Sequence, residues 1–86
     1  MNTKRSKLEI YIDILTAISK GTQKPTRIMY RTNLSWKPLT KILESLIAQG
    51  LIIREDGGKH SLYEVTEKGR NVLRYFKEAV ELITIE

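Results

Sequence analysis

The sequence feature that most constrains the fold is a tight turn centred on Asn33, which separates two short helical patterns. The first pattern, residues 25–32, begins at Pro25, and proline is favoured in a first helical turn because its missing N–H would have no partner there. The second, residues 35–49, ends before Gly50, a residue type that commonly terminates helices. Asn33 itself tolerates the left-handed backbone conformation that a tight turn uses. Two helices joined this closely must pack together as one unit.

The second helix of this unit has two different faces. Its apolar face carries, at helical spacing, Leu39, Ile42, Leu43, Leu46 and Ile47. Its opposite face carries Trp36, Lys37, Thr40, Lys41 and Glu44. The major groove of B-DNA admits an α-helix and presents base edges with a distinct pattern of donors and acceptors. A helix held by one face and polar on the other therefore predicts a helix-turn-helix unit whose second helix reads DNA.

The flanking segments predict two more helices and a β-hairpin. Residues 6–20 repeat apolar residues at helical spacing, on two neighbouring stripes. Residues 51–54 and 62–65 are rich in β-forming residues, and the segment 55–60 between them is a turn sequence with two glycines. The last helix is capped by Thr66 and extends nearly to the end of the sequence.

This order of elements predicts an α+β fold that is mostly α. We expect a winged helix-turn-helix with three helices, a β-hairpin wing and a C-terminal helix. Residues 1–66 are assigned to the DNA-binding domain, and residues 67–86 to a C-terminal helix that packs on the same domain and forms dimers. Tyr11, Tyr30 and Tyr63 are expected to be core aromatics with the hydroxyl at the rim.

The positive charge is concentrated in the first half of the chain. The net charge is +5, but residues 1–41 carry nine Lys or Arg against two acids, whereas residues 42–86 carry six against eight. The interval 20–41 has no Asp or Glu, and its six cations, here called the basic block, are Lys20, Lys24, Arg27, Arg31, Lys37 and Lys41. An acid-free basic block is typical of a surface that contacts a polyanion. A merely solvated face is the alternative that charge alone leaves open.

We predict that the partner of this chain is double-stranded DNA. The second helix of the unit enters the major groove, and the wing, residues 55–61, lies on the flanking phosphate backbone. The predicted DNA contacts are Lys24, Arg27, Arg31, Ser35, Trp36, Lys37, Thr40, Lys41 and Lys59. Two of these residues have an alternative interpretation. Trp36 could instead cover the edge of the core, and Thr40 could be an ordinary residue of the helix surface. His60 is expected to be an exposed loop residue rather than a ligand or a pH sensor.

Several functional classes find no support in the sequence. There are no cysteines, so disulfides and thiolate metal sites are excluded, and the one histidine, His60, cannot form a metal cluster alone. No nucleophile motif, phosphate-binding loop or metal-ligand spacing appears, so we expect no enzymatic activity, no cofactor and no metal. Because no run of about 18 apolar residues and no signal peptide is present, we expect a cytoplasmic, nucleoid-associated protein without membrane contact.

The last helix predicts a homodimer. One apolar stripe, which would pack the helix on its own domain, contains Leu73, Phe76, Val80 and Ile83. A second stripe has the 3-4-3 spacing of a coiled coil and contains Val72, Tyr75, Ala79 and Leu82. Together with Ile10 and Ile14 on the first helix, the second stripe would be bare in a monomer, which is unusual for a soluble protein. The alternative is that both stripes close onto the core of one monomer.

Several segments together carry a family resemblance that covers nearly the whole chain. They are Arg5-Ser6-Lys7-Leu8-Glu9-Ile10, Thr26-Arg27-Ile28-Met29-Tyr30, Asn33-Leu34-Ser35, Gly50-Leu51-Ile52 and Tyr63-Glu64-Val65-Thr66-Glu67-Lys68-Gly69. With them the chain resembles the small archaeal winged-helix DNA-binding proteins of the ArnR-like, ten-kilodalton chromatin-protein kind. The resemblance implies DNA binding through the third helix and the wing, and a dimer formed by the last helix. Relatives of the chromatin type often have a longer final helix that forms a coiled coil, whereas this one ends at Glu86.

Two other functions remain as alternatives. A winged helix can serve as a protein–protein interaction module without direct DNA binding, because fold does not fix function. The acid-free basic block favours DNA over that alternative, since an interaction module has no reason to keep it. RNA binding is a weaker alternative, because the deep, narrow major groove of RNA does not admit a helix.

Overall fold

The computed structural model describes residues 6–57 and 60–83, which form four helices and one hairpin. The helices are α1 (Lys7–Ser19), α2 (Pro25–Thr32), α3 (Trp36–Ala48) and α4 (Glu67–Leu82). The strands are β1 (Ile52–Gly57) and β2 (His60–Val65), which pair antiparallel in a two-stranded sheet. The predicted fold, mostly helical with a hairpin wing and a C-terminal helix, is confirmed.

The ends of the helices follow from local sequence. Ser6 and Glu9 form a capping box at α1: the Glu9 N–H donates to Ser6 Oγ (3.1 Å), and the Ser6 N–H donates to Glu9 Oε1 (2.9 Å). Asn33 ends α2 in the left-handed region, at φ 57°, as predicted. Ser35 occupies the N-cap position of α3, but its side chain makes no capping hydrogen bond. The short turn between α2 and α3 is therefore set by Asn33 and not by a Ser35 cap.

The hairpin is longer than the sequence predicts. We expected a turn over residues 55–60, but β1 continues to Gly57 and β2 begins at His60, and these two residues are paired in the ladder. The prediction is wrong because the ladder is built from backbone groups, which polar residues supply as well as apolar ones when their side chains face solvent. Gly57 does not have a positive φ, which agrees with its place in the strand and not in the turn.

One hydrophobic core joins α1, α2, α3 and the hairpin. Its buried residues are Ile14, Leu15, Ile18, Ile28, Leu39, Leu43, Leu46, Leu51, Ile52, Tyr63 and Val65. Ile14 has no exposed surface, so the expectation that it is bare in a monomer is wrong. The reason is that α1 is central and contacts α2, β2 and α4, which together cover Ile14 within one chain. Ile10 is half-buried against the same core.

The beginning of α4 is fixed closely against the rest of the domain. Thr66 caps the helix by accepting from the Gly69 N–H (3.1 Å), and its hydroxyl donates to the Gly50 carbonyl (2.6 Å). Gly69 is buried, and a Cβ on it would collide with the Leu51 carbonyl oxygen and lie 2.6 Å from Val65 Cγ1. The missing side chain at position 69 therefore lets α4 approach the start of β1. Residues 77–82 at the end of α4 are, by contrast, exposed.

Candidate nucleic-acid interface

The six cations of the basic block are all exposed. Lys24 is the N-cap of α2, and Arg27 and Arg31 follow on the exposed side of that helix. Lys37 and Lys41 lie on α3. Within the described part of the chain, none of the six forms a salt bridge. Their positive charge is therefore available to an anion outside the molecule.

The charged residues of α3 face away from the core. Because successive helical residues turn by about 100°, Lys37, Lys41 and Glu44 form a row on the side opposite to Leu39 and Leu43. All three are exposed, while Leu39 and Leu43 are buried. This row, here called the outer row, is the part of α3 that is free to enter a groove of a nucleic acid.

Trp36 lies beside the outer row, at a groove of about 230 Å³ between α3 and the hairpin. Its side chain is 51% exposed, and Pro25 and Leu43 line the same groove. Trp36 thus shares this groove with the core residue Leu43 and presents half of its surface to the outside. Thr40 lines the groove as well, and its hydroxyl donates to the Lys37 carbonyl at 2.9 Å. Thr40 is left with an oxygen acceptor and a methyl group for outside contacts.

Tyr30 is a surface residue, and our expectation that it belongs to the core is wrong. It is 79% exposed and lines a shallow depression on α2 together with Thr26, Arg27 and Arg31. The reason is its helical position: Tyr30 comes two residues, or about 200°, after the buried Ile28. Counting that angle from Ile28 would have revealed it from the sequence. The basic surface of α2 therefore includes an exposed aromatic ring that sequence analysis missed.

The other two tyrosines match their predictions. Tyr63 is buried in the core, at 7% exposure. Tyr11 is half-buried, and its hydroxyl donates to Ser45 Oγ at 3.1 Å, which links α1 to α3. The orientation of α3 relative to α1 is thus supported by a polar contact as well as by the apolar core.

The hairpin contains a salt bridge between two of its own side chains. The Arg54 Nε atom lies 3.3 Å from Asp56 Oδ1, and Ser61 Oγ donates to the same oxygen at 2.9 Å. Arg54 is therefore paired with an acid of the wing itself. His60 is exposed, as expected, but it begins β2 and is not in a loop. Lys59, the predicted wing contact to DNA, lies outside the described residues.

The stripe of α4 that predicted a dimer is covered only at its beginning. Val72 is half-buried against the core, whereas Tyr75 is 60% and Leu82 is 86% exposed, and Ala79 is exposed. The Arg74 guanidinium lies 5.1 Å from the centroid of the Tyr75 ring. An apolar groove of about 590 Å³ between α1 and α4 adjoins this surface. One chain therefore leaves most of the stripe open.

The described interior contains no group that points to a buried ligand. Its buried polar residue, Thr32, donates its hydroxyl to the Ile28 carbonyl at 2.7 Å, and every buried side-chain polar atom there has a partner. In residues 6–57 and 60–83, no three acidic or histidine side chains are grouped as they would be around a metal ion. No helix in those ranges is long and apolar enough to cross a membrane. The candidate site is the surface formed by α2 and α3, where the exposed cations lie.

Comparison with known proteins gives one consistent result. A family model described as winged helix-turn-helix matches residues 4–84. An uncharacterized protein of Methanocaldococcus jannaschii is 35% identical over 80 residues, which cover 93% of this chain and 78% of that relative. This relative is therefore of similar size to the chain.

Solved structures share the same fold. Sso10a-2, a DNA-binding protein from Sulfolobus solfataricus, matches with a TM-score of 0.77 and 25% identity, covering 91% of this chain and 81% of that one. BldR, a transcriptional regulator from Sulfolobus solfataricus, matches with a TM-score of 0.76 and 26% identity, covering 85% of this chain. The match spans 55% of BldR, so only about half of that regulator is comparable. The resemblance to small archaeal winged-helix DNA-binding proteins is confirmed.

Proposed function

Because the chain belongs to the winged helix-turn-helix family, we propose that it binds double-stranded DNA as a transcriptional regulator or a small chromatin-associated protein. The basic block carries this proposal: six exposed cations on α2, on α3 and at the end of α1, without a salt bridge to any described residue. A surface of this kind attracts a polyanion. The proposed role is binding and not catalysis. A protein with this role would be associated with the nucleoid in the cytoplasm.

In the proposed complex, α3 enters the major groove with its outer row towards the bases. The groove is about 12 Å wide, which matches the diameter of a helix with its side chains. Lys37 and Lys41 reach base edges or the phosphates beside them. Ser35, Trp36 and Thr40 lie towards the N-terminal end of α3, where the helix dipole favours a phosphate.

Two further elements contact the backbone in this proposal. Lys24, Arg27 and Arg31 place three cations on α2, and Tyr30 adds a hydroxyl beside them. In the wing, residues 55–61, we propose Lys59 as a further phosphate contact, although it lies outside the described residues. Phosphate contacts carry no sequence information directly, so these elements position α3 and leave base recognition to it.

The proposed assembly is a homodimer through α4. The exposed apolar residues of that helix and its end are Tyr75, Ala79, Val80, Leu82 and Ile83. A monomer rarely leaves such a continuous apolar surface open to water. The interface comprises the stripe from Val72 to Leu82 with Ile10 beside it, and it excludes the buried Ile14. A two-fold dimer would present two reading helices to successive turns of the major groove, which favours a palindromic site.

A salt titration tests DNA binding. Affinity is measured by fluorescence anisotropy for a random-sequence DNA duplex, a single-stranded oligonucleotide and an RNA duplex. We expect the DNA duplex to bind tightest, with log K falling linearly against log salt at roughly 0.9 per phosphate neutralised. Absence of duplex binding at low salt would contradict the proposal and favour an interaction module, and tighter binding to duplex RNA would exclude major-groove insertion.

A further inference from the structure

The outer row of α3 contains an acid as well as two lysines. Glu44 is the one acid of α3, and it follows Lys37 by seven residues, or about 10 Å along the helix axis. The row from Lys37 to Glu44 is therefore shorter than the width of the major groove, about 12 Å. A carboxylate inside that groove lies close to phosphates, and like charges repel. Glu44 thus opposes DNA binding unless a base edge in the major groove donates a hydrogen bond to it.

The protein does not neutralise Glu44 by itself. Arg54 of β1 lines the same groove between α3 and the hairpin. Arg54 is instead bound to Asp56, with Nε 3.3 Å from Oδ1 and Nη2 3.4 Å from Oδ2. Glu44 is exposed and forms no hydrogen bond or salt bridge with the residues in 6–57 and 60–83. Both of its oxygens are therefore open to accept hydrogen bonds from outside the chain.

The chemistry of the major groove decides which base can meet a carboxylate. Guanine presents two acceptors there, N7 and O6, and thymine presents an acceptor and a methyl group. Neither base therefore offers the Glu44 carboxylate a hydrogen-bond donor. Adenine presents one donor, N6, directly beside the acceptor N7, which repels the second carboxylate oxygen. Cytosine presents its N4 amino group without an adjacent acceptor on its own edge, and carboxylates accept hydrogen bonds from that group.

We infer that Glu44 is a specificity-determining residue, which accepts a hydrogen bond from the N4 amino group of a cytosine. The inference rests on the proposed DNA binding and deepens it, because it makes the binding selective for sequences with a C·G pair at one position. The lysines of the outer row and the α2 cations supply affinity for any duplex, and Glu44 penalises the duplexes that lack the cytosine.

Selection from a random duplex library tests this role. The full chain and its variants Glu44→Ala and Glu44→Gln each select bound duplexes, which are then sequenced. We expect the unaltered chain to enrich one C·G position by about tenfold over other pairs. Glu44→Ala loses the preference at that position alone. Glu44→Gln shifts it towards adenine, because a glutamine amide pairs with N6 and N7 of adenine. Glu64→Ala, which removes an exposed acid of β2, is the matched control and leaves the preference unchanged.

The outcomes separate this inference from the proposed function. Glu44 is exposed, so neither variant disturbs the core, and circular dichroism verifies that each is folded. If both variants raise the affinity for all duplexes equally and alter no position, Glu44 acts only by repulsion and the inference is overturned. Duplex binding without any base preference in the unaltered chain also overturns it, while leaving DNA binding itself intact. If no duplex binds at all, the proposed function fails and the inference fails with it.

Discussion

At the residue scale, the two lysines of the outer row provide the most direct measure of the proposed interface. Each phosphate that a protein neutralises contributes about 0.9 to the slope of log K against log salt. We therefore expect the double variant Lys37→Ala, Lys41→Ala to weaken binding to a random duplex and to reduce that slope by roughly 1 to 2. The matched control removes two exposed lysines of other helices, Lys7 and Lys77, and keeps the slope. An unaltered slope in a folded Lys37/Lys41 variant would exclude these lysines from the interface.

The buried position of Ile14 leads to a second prediction. Ile14 is fully buried in the core, so Ile14→Ala removes packing in its own chain and leaves a cavity. We expect it to lower the free energy of unfolding by about 2 to 5 kcal/mol. Leu8→Ala is the control on the same helix: Leu8 is 60% exposed, so its substitution changes stability by about 0.5 kcal/mol or less. Urea denaturation of the two variants at equal concentration measures both. Equal effects would contradict the placement of Ile14 in the core.

Single residues were predictable where helical spacing decided their environment. The spacing of Lys37 and Lys41 from the apolar face of α3 gave their exposure correctly. The exposure of Tyr30 was missed because residue type was weighed above its angle from the buried core residue of α2. The burial of Ile14 was missed for a different reason. The burial of Ile14 depends on which elements surround α1, and no local sequence pattern predicts those neighbours.

At the scale of elements, Gly69 controls how α4 meets the hairpin. In a helix, Gly→Ala ordinarily stabilises by about 1 kcal/mol. At position 69 the new Cβ would collide with the Leu51 carbonyl, which is backbone and cannot move aside alone. We therefore expect Gly69→Ala to have the opposite sign and to destabilise the fold by about 1 to 3 kcal/mol.

Thermal unfolding followed by circular dichroism measures this effect. Gly57→Ala is the control, because a Cβ at Gly57 meets no atom within 4 Å and its φ is not positive. We expect the control to leave the melting temperature nearly unaltered. A Gly69→Ala variant that melts at a higher temperature than the unaltered chain would show that α4 does not need this close approach.

Helix ends that a single side chain determines could be predicted from the sequence, whereas the extent of the hairpin could not. The left-handed Asn33 and the Thr66 cap are chemical features of single side chains, so the sequence identified them. The extent of the hairpin has no such marker. Its polar residues from 55 onwards pair through the backbone, and the Arg54–Asp56 pair that accompanies them became visible only in the fold.

At the scale of the whole molecule, the apolar surface of α4 predicts a dimer of the 10.0 kDa chain. Leu82 is 86% exposed at the end of the helix, so Leu82→Glu leaves the fold of one chain intact and places a charge in the proposed interface. We expect sedimentation equilibrium at micromolar concentration to give twice the chain mass for the unaltered protein and a mass shifted towards the monomer for Leu82→Glu. Burying a large aliphatic side chain contributes roughly 1.5 to 3 kcal/mol. Leu82→Glu removes that contribution and places a charge in the apolar interface, so we expect it to weaken association strongly. Ile53→Glu, at a 47% exposed aliphatic residue of the hairpin, is the control and keeps the dimer mass. An unaltered chain that sediments as a monomer and still binds duplex DNA would refute the dimer, and α4 would then serve only to complete the fold.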